Sequence, residues 1–185
     1  MKLILTALLV LTFSFDFSQE KELKETKKLI ENKQYDSAFL LLDKLDPDNN
    51  NPEIVIEKTN ILLNFFVSSM MHQMFALKNL EENEELMDIR GTEGSFSMYY
   101  FPPDSILNLL IEQNPNNFKL RKTLGYFYHE VNLKYGSNWL EPDSIIFKRI
   151  IENYDLAYKN GEFDYWSLYG IGYAYLNQYK NEESI

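Results

Sequence analysis

The sequence predicts an all-α fold of antiparallel helix pairs stacked in a row, and three observations carry that prediction. First, YDSAFLLLDKLDP from Tyr35, PDSILNLLIEQNP from Pro103 and PDSIIFKRIIENY from Pro142 all place Asp-Ser ahead of an apolar run. In each run the apolar residues recur at helical spacing, as in Ile106, Leu109 and Leu110 or Ile145, Ile146 and Ile150. Asp and Ser at such a place can accept hydrogen bonds from the free N–H groups of a first turn, so all three read as helix starts. Second, Asp46-Pro47-Asp48-Asn49 and Asn114-Pro115-Asn116-Asn117 stand at the same distance beyond their Asp-Ser pairs. Each stops one helix and leads into the next. Third, a chain of 185 residues that is 45% hydrophobic and 15% aromatic can bury a core without crosslinks, and it has no cysteine to make any.

The elements follow in chain order. Residues 1–18, MKLILTALLVLTFSFDFS, carry one early lysine, an apolar run from Leu3 to Phe15 and small residues near its end, the layout of a cleaved secretory signal peptide. The run is shorter than the ~20 residues of a membrane-spanning helix. Without cysteine there is no lipoprotein anchor, so a periplasmic or secreted location is expected. Residues 19–185 are then one helical repeat domain.

Between the first two helices, DPDNNNPEIVIE matches an EF-hand loop at Asp46, Asp48, Asn50 and Glu57 but has Asn51 in place of the central glycine. Asn51-Pro52-Glu53 is also a helix start, with a cap residue, a proline in the first turn and an acid near the N-terminus. A helix from Pro52 commits the Pro52 carbonyl to an intrahelical bond, whereas a calcium loop would aim it at the ion. An inter-helix turn is the expectation.

Residues 61–77, ILLNFFVSSMMHQMFAL, are uncharged, with Leu63, Val67, Met70, Met74 and Leu77 at helical spacing, and predict a helix buried on more than one side. On such a helix Met70 and Met74 share a face while His72 points away, which argues for core methionines over a soft-metal site. EENEELMD (residues 81–88) reads as a solvated helix end, and RGTEGSFSMYYFPPDS (residues 90–105) as an insertion packed by its own aromatics.

The segments FKLRKTLGYFY and WSLYGIGYAYL complete the pattern. Leu124-Gly125 is followed by Tyr128, and Ile171-Gly172 by Tyr175, a small residue and an aromatic that let paired helices approach. On these residues the chain resembles the tetratricopeptide repeat family, whose pattern is W-x2-L-G-x2-Y, then A-x3-F, then P. Tyr35, Ala38 and Leu42 extend the likeness in the first unit, and Pro47 and Pro115 act as closing prolines. Arg121 and Leu168 fall at the tryptophan place, and the units are unevenly long. At KNEESI the last unit would start its second helix, so an array incomplete at that end is the expectation.

The resemblance implies a short right-handed superhelix whose first helices line a concave groove for a peptide or a partner's helix. It places Lys119, Lys122, Tyr126, His129 and Glu130 on one stripe of that groove, and Trp166, Tyr169, Tyr173 and Asn177 on the next. Aromatics beside a few polar groups suit an interaction surface.

A net charge of −10 argues against nucleic acid as partner. The two histidines lie in no HExxH, and no G-x-S-x-G or P-loop occurs, so no catalytic residue is assigned. No cofactor or metal is assigned either. The expectation is a non-enzymatic exported adaptor for another envelope or extracellular protein, without membrane insertion. Two alternatives stand beside it: a small hydrolase or enzyme accessory with acidic groups in the groove, and a calcium- or copper-binding protein using the Asp46 loop or the methionines.

Overall fold

The computed structural model describes residues 21–92, 94–135 and 141–183. The expected signal segment, residues 1–18, lies outside them. Helix α1 spans 21–31, and a turn through Lys33, at φ 58, leads into α2 (Tyr35–Leu45). Tyr35, Ala38, Phe39 and Leu42 are buried on α2, the i, i+3, i+4, i+7 stripe that its sequence spacing predicts.

The DPDNNN stretch is a turn. Both carboxylate oxygens of Asp46 accept backbone N–H groups, from Asn50 and Asn51 at 2.9 Å each. Asn51 then caps α3 (Pro52–Phe65), accepting from the N–H groups of Glu53 and Ile54. Asp46, the first residue of the ion-loop match, thus spends both carboxylate oxygens on the backbone that leads into the helix start.

Helix α3 stops at Phe65, well short of the predicted end at residue 77. Its last carbonyls are taken by two cations: Arg90 donates to the carbonyls of Phe66 and Asn64 at 2.8 and 2.9 Å, and Lys134 to that of Leu63 at 2.9 Å. The remaining residues of the apolar run form a hairpin, β1 (Ser68–Met71) and β2 (Met74–Leu77), and β3 (Ser97–Tyr100) pairs with the other edge of β2. The sheet is antiparallel in the order β1-β2-β3, with Phe75 opposite Tyr99 and Ala76 opposite both Ser68 and Met98. The fold is mostly helical, as expected, with a small sheet inserted that the helical spacing does not predict. One expectation is corrected here: residues 68–71 and 74–77 are strands rather than parts of a helix, and Met70 is 68% exposed rather than a core residue. The insertion does pack by aromatics, but against α2: Phe39 meets Tyr99 and Phe101, and the Tyr99 hydroxyl donates to Asp36.

After α4 (Leu86–Ile89), which takes in the end of the EENEELMD run, the chain returns to helices. These are α5 (Pro103–Gln113), α6 (Phe118–Tyr135), α7 (Asp143–Lys159) and α8 (Tyr165–Glu183). The three Asp-Ser helix starts are where the sequence places them, but the physical reason differs from capping. Asp36 and Asp104 lie inside the first turn, Asp143 begins its helix, and the cap positions Gln34, Pro102 and Pro142 make no side-chain cap bond. The acids act through the helix dipole and through long-range bonds, such as Asn132 donating to Asp143 at 3.0 Å. Helix α2 packs on α3, α5 on α6, α6 on α7 and α7 on α8, while α3 also meets α6 and α6 meets α8. No helix of the described residues is long and apolar enough to cross a membrane.

Candidate functional site

Because α3, α6 and α8 lie side by side, the groove between them is built from helices that are far apart in sequence. It holds a cleft of about 370 Å³. Ile56, Asn60 and Asn64 come from α3, Lys119, Lys122, Thr123 and Tyr126 from α6, Tyr154 from α7, and Glu162, Asp164 and Trp166 from the α7–α8 turn and the start of α8. A second hollow of about 520 Å³ shares Lys119 and Glu162 with the first and continues along Glu53, the Asn114–Asn117 turn and Asn160.

Packing glycines set the closeness of these helices. A Cβ at Gly125 would stand 2.7 Å from the Tyr154 ring, and one at Gly170 would stand 2.6 Å from it and 2.8 Å from His129 Nδ1. Tyr154 is therefore held between α6 and α8 by two glycines. Gly172, which the sequence spacing put in this role, has nothing within 4 Å. The α8 counterpart of Leu124-Gly125-x2-Tyr128 is thus Tyr169-Gly170-x2-Tyr173, led by Trp166, and Tyr175 is half exposed on the far side.

Of the groove residues expected from sequence, Lys119, Lys122, Tyr126 and Trp166 line the cleft. Lys119 pairs with Glu53 at 3.6 Å and Lys122 with Asp164 at 3.2 Å, and the Tyr126 hydroxyl donates to Asn64 at 2.7 Å. Burial disfavours ionised Asp164, but bonds from the Ser167 N–H and from Lys122 outweigh this and hold its carboxyl below the usual range. Burial pushes the Tyr126 hydroxyl well above its ordinary value, so it stays a neutral donor.

His129 and Glu130 are corrections to the expected surface, being 0% and 6% exposed. The His129 ring lies under a ladder of Trp166, Tyr169 and Tyr173, at 5.2, 5.7 and 5.4 Å between centroids. Glu130 accepts from Trp166 Nε1 at 3.1 Å and pairs with Lys134, which fixes the indole at the mouth of the cleft. Tyr173 is tied to Asn132 at 2.7 Å, and the Asn177 amide turns back to the Tyr173 carbonyl at 2.8 Å. These residues support the groove wall from behind. The sequence argument missed Ile56, Asn60 and Asn64, although applying the same stripe logic to the helix starting at Pro52 gives Asn60 and Asn64 at i, i+4. It also missed Glu162 and Asp164, whose place depends on how the α7–α8 turn packs.

Burial holds the His129 imidazole below its usual range, with Glu130 opposing. Below the unfolded value near 6.5, the unfolded chain takes up a proton that the folded chain resists. The expected result is a melting temperature that falls as pH drops from about 7 towards 5, with a shallower fall in a His129→Leu variant. Equal slopes in the two proteins would assign the pH dependence to other groups.

Among the described residues, no group of three or more His, Asp or Glu side chains is placed to hold a metal ion. No family model, curated protein or solved structure matches the chain.

Proposed function

We propose that this chain is an exported, non-enzymatic helical-repeat adaptor of the tetratricopeptide type, which binds a peptide segment of another envelope or extracellular protein in the groove between α3, α6 and α8. The observation that carries the proposal is the make-up of the cleft. It combines apolar area from Ile56, Tyr126 and Trp166 with amides and charges on both walls. Asn60 makes no side-chain hydrogen bond among the described residues, leaving a carboxamide whose donor and acceptor suit a peptide main chain.

Two further features support the repeat reading. With Gly170 as the packing glycine, Trp166, Tyr169, Gly170 and Tyr173 follow W-x2-L-G-x2-Y with tryptophan at its own place, and only the leucine is changed. Helices α3 and α5 then form one unit carrying the sheet as an insertion, and α6 and α7 form the next. Export rests on the layout of residues 1–18.

Panning a random peptide-display library on the folded chain tests the proposal. Enriched peptides should lose roughly 30-fold in affinity to a Trp166→Ala variant, as for an aromatic anchor worth about 2 kcal/mol. An Asn60→Ala variant, which removes no internal bond, should weaken them with the melting temperature unchanged. Failure to enrich any sequence, or equal binding to both variants and the parent, would overturn the groove assignment.

A further inference from the structure

The cleft contains three groups that the fold leaves without partners. Tyr154 lines it and is 1% exposed, yet its hydroxyl makes no hydrogen bond among the described residues. A buried hydroxyl in that state costs free energy unless something enters the cleft to meet it. Glu162 lines both the cleft and the adjoining hollow, and no cation among the described residues pairs with it. Asn60 adds a free carboxamide on the opposite wall.

The charges are out of balance in the same place. Across the two hollows Lys119 and Lys122 face Glu53, Asp164 and Glu162, and both lysines are already engaged, with Glu53 and Asp164 respectively. One negative charge is left over, and it is Glu162, where the hollows join. A carboxylate accepts only, and a phenol oxygen and an amide oxygen can also accept. An occupant that brings several donors and a positive charge can meet all three. It must also tolerate the exposed indole of Trp166.

We propose that the cleft is a pocket for an arginine side chain of the bound segment. The guanidinium donates to the Glu162 carboxylate and the Tyr154 hydroxyl, while its plane and stem lie against Trp166. Arginine fits better than lysine because its five donors are fixed in a plane and because that plane stacks on aromatic faces. The acidic chain as a whole, at −10, favours approach of such a basic segment. This inference rests on the groove reading above and names the chemistry of its ligand.

Two measurements test it separately from that reading. In the first, the panning selection is scored for composition: arginine should be enriched at one fixed position of the selected peptides. Selected peptides that bind in the groove but carry no basic residue would overturn the arginine pocket and leave the groove reading standing, whereas no selection at all would overturn both. In the second, Ac-Ala-Arg-Ala-NH2 is titrated into the isotopically labelled protein, with the Trp166 indole resonance as the reporter. A saturable shift is expected, with at least tenfold weaker binding to Glu162→Gln and weaker binding of Ac-Ala-Lys-Ala-NH2. The Glu162 side chain makes no hydrogen bond or ion pair among the described residues, and its backbone bond to the Ala157 carbonyl is kept in the variant, so Glu162→Gln should melt with the parent protein. Equal binding of Ac-Ala-Glu-Ala-NH2, or no effect of Glu162→Gln, would overturn the proposal.

Discussion

Gly170→Ala is expected to lower the melting temperature, while Gly172→Ala, two residues further along the same helix, raises it. On helix propensity alone both changes stabilise, by about 1 kcal/mol, because alanine loses less backbone entropy than glycine. The tertiary environment separates them. A methyl group at residue 170 would stand 2.6 Å from Tyr154 Cε2 and 2.8 Å from His129 Nδ1, while at residue 172 it meets nothing within 4 Å. Tyr154 cannot retreat, because α6 flanks its other side at Gly125, where a Cβ would stand 2.7 Å from the ring, and the His129 ring is itself packed under three aromatics. Overpacking of this kind costs roughly 1–3 kcal/mol after relaxation and exceeds the propensity gain. For a domain of this size that is a fall of several degrees, on the order of 2–4 °C per kcal/mol. Melting curves of the two variants check it. If Gly172→Ala is the destabilised variant, the glycine register of α8 is wrong, and the assignment of Trp166 to the cleft fails with it.

Removing Asp43 should cost more than removing the lysine it binds. Lys58 is 0% exposed, on α3, with its ammonium 2.6 Å from Asp43 and 2.7 Å from the Asn49 side chain. The ammonium also sits near the Phe39 and Phe101 rings, 5.1 and 4.9 Å from their centroids. Asp43→Ala leaves a buried cation with only Asn49 and the two rings, a loss of about 3 kcal/mol or more. Lys58→Met keeps the stem volume between the rings and frees Asp43, whose side chain is 47% exposed and can be solvated, so it should cost under about 1.5 kcal/mol. Denaturant unfolding of the two variants gives the order directly. A larger loss in Lys58→Met would mean that the ammonium's own bonds to the turn, rather than relief of its desolvation, dominate at this site.

The helical elements were legible to the extent that their signals are local. The stripe on α2, the cap at Asn51 and the stops at Asp46 and Asn114 all follow from hydrogen bonds and contacts within a few residues. The stretch from Ile61 to Leu77 was misread because a short apolar run fits a helix or a buried strand equally well by spacing. What decides it is non-local. Arg90 and Lys134 take the carbonyls that end α3, and β3, more than a helix length away in sequence, supplies the second edge for β2. The candidate site divides in the same way. Tyr126 and Trp166 are reached through the repeat resemblance, but that resemblance could not say that His129 lies beneath the surface.

By itself, then, the sequence determined where most of these helices begin, where α2 and α5 end and which of their faces are apolar, because an α-helix satisfies its backbone within one segment and prints its period on the side chains. Only the tertiary structure decided that a sheet interrupts the helices, that Gly170 rather than Gly172 touches Tyr154, and that Glu162 and the Tyr154 hydroxyl share one cleft without partners. Those outcomes depend on which distant segments come within bonding and contact distance, and that is set by the packing of the whole chain.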